Sequence, residues 1–312
     1  MTAAAPLRIG TRSSALALTQ AQSVAAALLS RGHSSELVEI VTSGDRGIDK
    51  GDTVSVVGDK SRWVKELDTA LLAGEIDLAV HSAKDVPGDL PDGLEIAAVP
   101  ARADPRDALC GATSIEALPI GARVGTSSLR RRAQLLAARD DLDVIELRGN
   151  VPTRLEKLAA GECDALVLAL AGLVRLGRGD DVGGELDLDR FVPAPGQGTL
   201  AIQARVSDAR VTAALAELTD PQALASLTAE RELCRELGAS CDTPVGALAT
   251  VNANGDMTLS GFIGLPDGSA WITDRLEGHM TSPCELGRVV ARRLLDSGGA
   301  ALLKQAELMV AK

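Results

Sequence analysis

Two short turns of the chain combine hydroxyl groups with arginine where a helix is predicted to begin. Arg8-Ile9-Gly10-Thr11-Arg12-Ser13-Ser14 and Arg123-Val124-Gly125-Thr126-Ser127-Ser128 each read as a strand, a Gly-Thr turn and a hydroxyl-capped helix start. A helix N-terminus exposes unpaired N–H groups and the positive end of its dipole. With Arg12 and Ser14 at one turn, and Thr126, Ser128, Arg130 and Arg131 at the other, each becomes a seat for an anion. Ordinary N-capping by Ser and Thr would explain one such turn. Two turns, each with arginine at hand, favour binding. Arg123, Arg130, Arg131, Arg132, Arg139, Arg148, Arg154 and Arg175 fall in one stretch with a single lysine, Lys157. A GC-rich coding sequence accounts for the overall excess of 25 Arg over 7 Lys, but not for this clustering. The planar guanidinium grips a carboxylate or phosphate in a bidentate way that lysine cannot, so the stretch suits a small polyanion.

A second chemistry is nucleophilic. Cys241 sits in Gly238-Ala239-Ser240-Cys241-Asp242-Thr243-Pro244-Val245-Gly246, on a predicted loop between a helix and a strand. Most cysteines are inert packing. A loop thiol among small and polar neighbours is better placed for covalent chemistry. The other four (Cys110, Cys163, Cys234, Cys284) are scattered, the total is odd and no Cys-x-x-Cys pair occurs, so a disulfide framework and a metal site are not expected.

Composition narrows the classes. The chain has 312 residues, 46% hydrophobic and 24% charged, enough for two domains or three small ones with packed cores. With Phe 2, Trp 2 and Tyr 0 it lacks a base-stacking platform, and a net charge of −11 disfavours a phosphate-seeking surface, so nucleic acid is not an expected partner. The longest apolar run, Ala165–Val174, is half of the ~20 residues that span a bilayer, so no membrane segment is expected. Met1-Thr2-Ala3-Ala4-Ala5-Pro6 does not read as a signal peptide. A cytoplasmic protein is the expectation.

The elements that must position these residues repeat. Besides the two turns, Leu72-Ala73-Gly74-Glu75-Ile76-Asp77-Leu78-Ala79-Val80 resembles Ala159-Ala160-Gly161-Glu162-Cys163-Asp164-Ala165-Leu166-Val167, each reading as a helix closed by glycine and then an apolar strand. Together the cassettes suggest two related α/β lobes. In the first, the helix after the turn carries Leu18, Ala21, Ala25 and Leu28 on one face and ends at Gly32. Residues 43–61 form a long polar, glycine-rich loop, a candidate lid. Val99-Pro100 through Asp104-Pro105 and Val192-Pro193-Ala194-Pro195-Gly196-Gln197-Gly198 read as two crossings between lobes, a hinge over a cleft. The last hundred residues read as a small α+β domain. A helix around Gln222–Leu237 precedes strands joined at Asn254-Gly255 and Pro266-Asp267-Gly268, and helices over about Pro283–Leu295 and Ala300–Val310 follow.

These residues carry a family resemblance. His81-Ser82-Ala83-Lys84-Asp85-Val86-Pro87 resembles the central motif of the hydroxymethylbilane synthases, also called porphobilinogen deaminases. So do Gly125-Thr126-Ser127-Ser128-Leu129-Arg130-Arg131, Leu147-Arg148-Gly149-Asn150 with Thr153-Arg154-Leu155, and Ala171-Gly172-Leu173-Val174-Arg175-Leu176-Gly177. Asp104-Pro105-Arg106-Asp107-Ala108 and Pro195-Gly196-Gln197-Gly198 fit as well, in order, with matches from Arg8 to about Gly268.

The resemblance implies an α/β fold of two lobes like those of type II periplasmic binding proteins, plus a small α+β C-terminal domain. Domain 1 is expected at residues 1–99 plus 199–220, domain 2 at 104–193 and domain 3 at 221–312. It implies an enzyme that joins four porphobilinogen molecules head to tail, releasing ammonia and then linear hydroxymethylbilane, on a dipyrromethane cofactor held as a thioether by Cys241. Asp85 matches the catalytic acid that stabilises a cationic azafulvene. Ser14, Ser82, Lys84, Thr126, Ser128, Arg130 and Arg131 match cofactor-binding positions, and Arg12, Arg148, Arg154 and Arg175 match substrate carboxylate-binding ones. A monomer that hands its product to a downstream tetrapyrrole enzyme is implied too.

Several positions depart from the family pattern: Arg62 and Trp63 after Gly58-Asp59-Lys60-Ser61, Ser240 before the cysteine, and Pro152, which interrupts the Arg148–Arg154 segment. A non-catalytic two-lobed carboxylate-binding protein is the alternative, but it would need neither Asp85 nor Cys241. A hydrolase built on His81 and Ser82 fails because neighbours on a strand face opposite sides.

Overall fold

The computed structural model describes residues 5–43, 61–239 and 243–310. Cys241, with Ser240, and all but the end residues of the 43–61 loop lie outside the described residues. Two compact units form, one of residues 1–102 and 199–224, the other of 103–198 and 225–312.

In the first unit, Gly10 and Thr11, expected in a turn, are instead the paired end of β1 (Leu7–Thr11), and the chain bends only at Arg12–Ser14 before α1 (Ala15–Leu29). Ser14 accepts a hydrogen bond from Ala17 N at 3.4 Å and caps that helix. The buried stripe is Ala17, Gln20, Ala21, Val24 and Leu28. It is turned slightly from the expected one, leaving Leu18 and Ala25 half-buried. Then follow β2 (Ser35–Glu39), α2 (Ser61–Leu72), β3 (Leu78–Ser82), the single turn Ala83–Asp85 and β4 (Leu94–Ala98). The chain returns as β10 (Leu200–Arg205) and α6 (Ala209–Leu215). The sheet order is β2-β1-β3-β10-β4, with β10 antiparallel to both neighbours. Both faces are covered, by a core around Ile9, Val24, Leu28 and Ile202 and by another around Leu67, Leu71 and Ile76. That is why the central strands are apolar on both sides.

The second unit repeats this plan. Its strands are β5 (Asp107–Cys110), β6 (Arg123–Gly125), β7 (Asp143–Ile145), β8 (Ala165–Ala169) and β9 (Gly184–Glu185), in the order β7-β6-β8-β5-β9. Here β5 is the antiparallel strand. Its helices are α3 (Leu129–Ala138), α4 (Val151–Ala159) and the short α5 (Leu170–Arg175). Pro152 does not interrupt a segment. It lies in the first turn of α4, where Asn150 caps the helix and no N–H is missed.

The cassette repeat has a physical basis. Arg8 N donates to Asp77 Oδ2 at 2.8 Å while its guanidinium grips the same carboxylate, and Asp77 N returns a bond to Arg8 O. Arg123 and Asp164 make the same set, with N to Oδ2 at 2.7 Å and Nη2 to Oδ1 at 2.9 Å. Each pair latches the first strand of the cassette to the strand beside it, just past Gly74 or Gly161, whose φ values of 70° and 75° end the preceding helix.

The remaining residues of the second unit add an antiparallel sheet of β11 (Val245–Val251), β12 (Asp256–Gly264) and β13 (Trp271–His279). It packs with α7 (Pro221–Glu236), α8 (Pro283–Leu294) and α9 (Ala300–Val310) around Leu233, Met257, Leu259 and Val290. Ala133, Val192, Leu248 and Phe262 form a shared core between this sheet and α3. Glu230 is fully buried and accepts from Gly196 N at 2.6 Å and Ala249 N at 2.7 Å. These contacts are why both sheets belong to one compact unit.

Candidate active site

In the first unit, β3 ends at Ser82 and the chain tightens into the Ala83–Asp85 turn. A small pocket opens there, lined by Arg12, Ser14, Leu16, Ala17, Gln20, Val64, Val80, His81, Ser82 and Asp85. Four of the residues singled out in the sequence, Arg12, Ser14, Ser82 and Asp85, thus line one pocket. Lys84 sits in the same turn, half-buried, and is not part of that lining. Gln20, from the buried face of α1, holds Ser82 by a bond from Nε2 to Oγ at 2.9 Å. His81 is 5% exposed, and its Nε2 lies 3.0 Å from Gln203 Oε1. Burial lowers the His81 pKa to about 4, so the ring is neutral at physiological pH.

In the second unit, Ser128 caps α3 by accepting from Arg131 N at 3.4 Å, and Thr126 Oγ1 accepts from Ser128 N at 3.2 Å. Arg130 and Arg131 turn inward onto Asp107. Arg130 Nη2 meets Oδ2 at 2.9 Å, while Arg131 Nη2 and Nε meet Oδ1 at 2.7 and 3.0 Å. Gln197 Nε2 adds a bond to Oδ1 at 2.8 Å. Burial works against the Asp107 charge, but the two arginines and Gln197 outweigh it and hold the carboxyl far below its usual range. Further bonds run from Arg130 Nη1 to Val192 O and from Arg131 Nη1 to Val167 O. The two arginines expected to be held out for a ligand are therefore engaged on Asp107.

Arg154, near the start of α4, is different. Its Nε is buried without a partner. Burial, then the nearby Arg131 charge, lowers its pKa to about 10. A desolvated guanidinium beside a like charge is unfavourable until an anion arrives. Arg175 is half-buried, donates to Gly198 O at 2.7 Å and also has its pKa lowered by burial. Arg148 is exposed and pairs with Glu146 at 2.6 Å. Of the other arginines in the stretch, Arg132 donates to Val144 O, and Arg139 holds Ile115 O, Leu118 O and Asp141.

Sequence reasoning passed over Asp68, Asp107, Gln20 and Gln203 as functional side chains. Asp107 stood inside a quoted motif, but nothing in the sequence says which arginines face it. Among the described residues no group of three His, Cys, Asp or Glu could hold a metal ion, and no helix is long and apolar enough to cross a membrane.

Two sheets of one strand plan, with arginine and hydroxyl groups at their helix starts and an added α+β domain, define a two-lobed α/β protein. Among solved structures, the methionine-binding protein MetQ is similar at 15% identity and a TM-score of 0.44, over 68% of this chain and 89% of that one. A nutrient-binding protein from Burkholderia cenocepacia gives 13% identity and 0.41, over 67% and 90%. The family model "Porphobilinogen deaminase, dipyromethane cofactor binding domain" matches residues 7–213, and "Porphobilinogen deaminase, C-terminal domain" matches 224–296. Relatives named porphobilinogen deaminase include that of Rubrobacter xylanophilus, 48% identical over 95% of this chain and 96% of its own. That of Chromobacterium violaceum is 47% identical over the same shares. This chain belongs to the porphobilinogen deaminase family.

Proposed function

We propose that the chain is a transferase that condenses four porphobilinogen molecules head to tail, with loss of ammonia, and releases linear hydroxymethylbilane. Its family and its matched cofactor-binding domain support the activity. The observation that carries the assignment of groups is the pocket that joins Asp85 to Arg12, Ser14 and Ser82. Each porphobilinogen bears two carboxylates and an aminomethyl group on a pyrrole. Loss of ammonia from that group leaves a cation, and the Asp85 carboxylate is suited to hold it and to accept from pyrrole N–H groups. Arg12, Arg148, Arg154 and Arg175 are read as the grips on substrate carboxylates. Arg154 is the best supported of them, since its desolvated Nε lacks a partner.

Dipyrromethane, when bound, supplies the primer to which successive pyrroles are joined. Its carboxylates fit the positive charge of Arg154, whose buried Nε has no partner. In this reading Cys241 is its attachment point, and Ser14, Ser82, Lys84, Thr126, Ser128, Arg130 and Arg131 are its binding residues. Arg130 and Arg131 then act from their places on Asp107, as a rigid positive wall. We keep the division into three domains given above, and read the protein as a cytoplasmic monomer whose product passes to a downstream tetrapyrrole enzyme.

The test is Asp85→Asn. It is expected to keep the fold, seen by circular dichroism, and to lower porphobilinogen turnover by about 10²–10³-fold, as removal of one preorganised electrostatic group does elsewhere. Normal turnover in that variant would refute the role.

A further inference from the structure

A chain of three buried polar groups runs into the Asp85 pocket. Asp68, on α2, accepts from Gln203 Nε2 at 2.8 Å, and Gln203 Oε1 lies 3.0 Å from His81 Nε2. His81 and Gln203 belong to the antiparallel neighbours β3 and β10, where Ala201 pairs with His81 and Ala79 with Gln203. They are diagonal neighbours on one face, within reach of long side chains. All three residues are buried.

The direction of these bonds follows from donor and acceptor chemistry. A carboxylate can only accept, so the Gln203 amide must present its NH₂ to Asp68 and its carbonyl to His81. A carbonyl can only accept, so His81 Nε2 must carry the proton. The neutral ring then has a bare Nδ1. His81 lines the pocket with Asp85.

We propose that His81 is a further substrate-binding residue, offering an unprotonated Nδ1 as acceptor to an N–H of the pyrrole substrate, with Gln203 and Asp68 as positioning residues that fix its tautomer. The proposal rests on the reading of this pocket as the porphobilinogen site. It also assigns a use to neutrality. An imidazolium here would compete with the substrate cation for the Asp85 carboxylate, whereas a neutral acceptor adds a second partner for substrate N–H groups. Burial of the ring disfavours that imidazolium.

The chain contains only three histidines, so the holoenzyme labelled with ¹⁵N-histidine gives a spectrum that His81→Asn assigns by subtraction. The expected His81 pattern is a protonated Nε2 and a bare Nδ1, with the Nδ1 resonance moving toward the hydrogen-bonded range when porphobilinogen is added. Gln203→Leu is expected to mix the two tautomers. His81→Asn, whose Oδ1 can stand near the position of Nδ1, is expected to retain most of kcat/KM, and His81→Phe to lose about tenfold or more. A protonated Nδ1, an Nδ1 signal indifferent to substrate, or equal kcat/KM in the Phe and Asn variants overturns the proposal. Wild-type enzyme that fails to consume porphobilinogen overturns the underlying reading instead, so the two failures are told apart.

Discussion

Asp107→Asn removes one negative charge from between two guanidinium groups that have almost no water to turn to. The side chains are 1% exposed for Asp107, 3% for Arg130 and 9% for Arg131. Breaking a buried ion pair by removing one partner costs about 3–5 kcal/mol, because the surviving charge is left uncompensated. Here two charges survive, and the new amide NH₂ faces donors. Asp77→Asn provides the internal comparison. Asp77 is 3% exposed, but Arg8, Arg205 and Arg210 around it are 36%, 20% and 46% exposed and can rehydrate. Its loss is expected to cost about 1.5–3 kcal/mol, the range for hydrogen bonds to a charged group.

Thermal unfolding followed by circular dichroism separates the two. Asp107→Asn is expected to lower Tm by roughly 6–20 °C, at about 2–4 °C per kcal/mol for a unit of this size, and Asp77→Asn by clearly less. Acid provides a second check. The folded-state pKa of Asp107 is depressed, so its contribution is complete above the unfolded value of about 3.9 and is lost as pH falls through the folded value. The gap between wild type and Asp107→Asn should therefore be constant near neutrality and close only in strong acid. Equal Tm shifts for the two variants, or an Asp107→Asn protein as stable as wild type, would show that partner burial does not set the energy.

Two other substitutions probe the second unit. Arg154→Ala removes a desolvated, like-charged group, so it should leave Tm unchanged or raised while KM for porphobilinogen rises about 10–100-fold; a drop in Tm with unchanged KM would make Arg154 a structural residue. Gly198 has φ +85°, and a Cβ there would run into the backbone oxygen of Ala103, so Gly198→Ala should cost about 1–3 kcal/mol in denaturant unfolding, and a neutral result would contradict the observed close approach.

Much of the architecture was legible because its determinants are local. Glycine after each cassette helix, hydroxyl caps at Ser14 and Ser128, and the hairpin glycines Gly255 and Gly268 act within a few residues of where they stand. The internal repeat was legible for a deeper reason: the Arg8–Asp77 and Arg123–Asp164 latches place the same residue types at matching points of both sheets. Asp85 and the pocket hydroxyls were found through a motif contiguous in sequence. The inward turn of Arg130 and Arg131 was not, because consecutive arginines on a helix show no preferred face until their carboxylate, 23 and 24 residues away, is located. Nor was the Asp68–Gln203–His81 chain, whose members are 135 and 122 residues apart and meet only when β10 returns beside β3. Pro152 misled for the opposite reason: it was read as a breaker, and Asn150 makes it an opener.

A chain of this family that works as proposed carries its own pyrrole primer. Intact mass spectrometry of active, purified protein should give a mass above that of the 312-residue chain by one pair of linked pyrroles, retained after denaturation and missing from Cys241→Ala. An unmodified mass from a preparation that turns over porphobilinogen would contradict it.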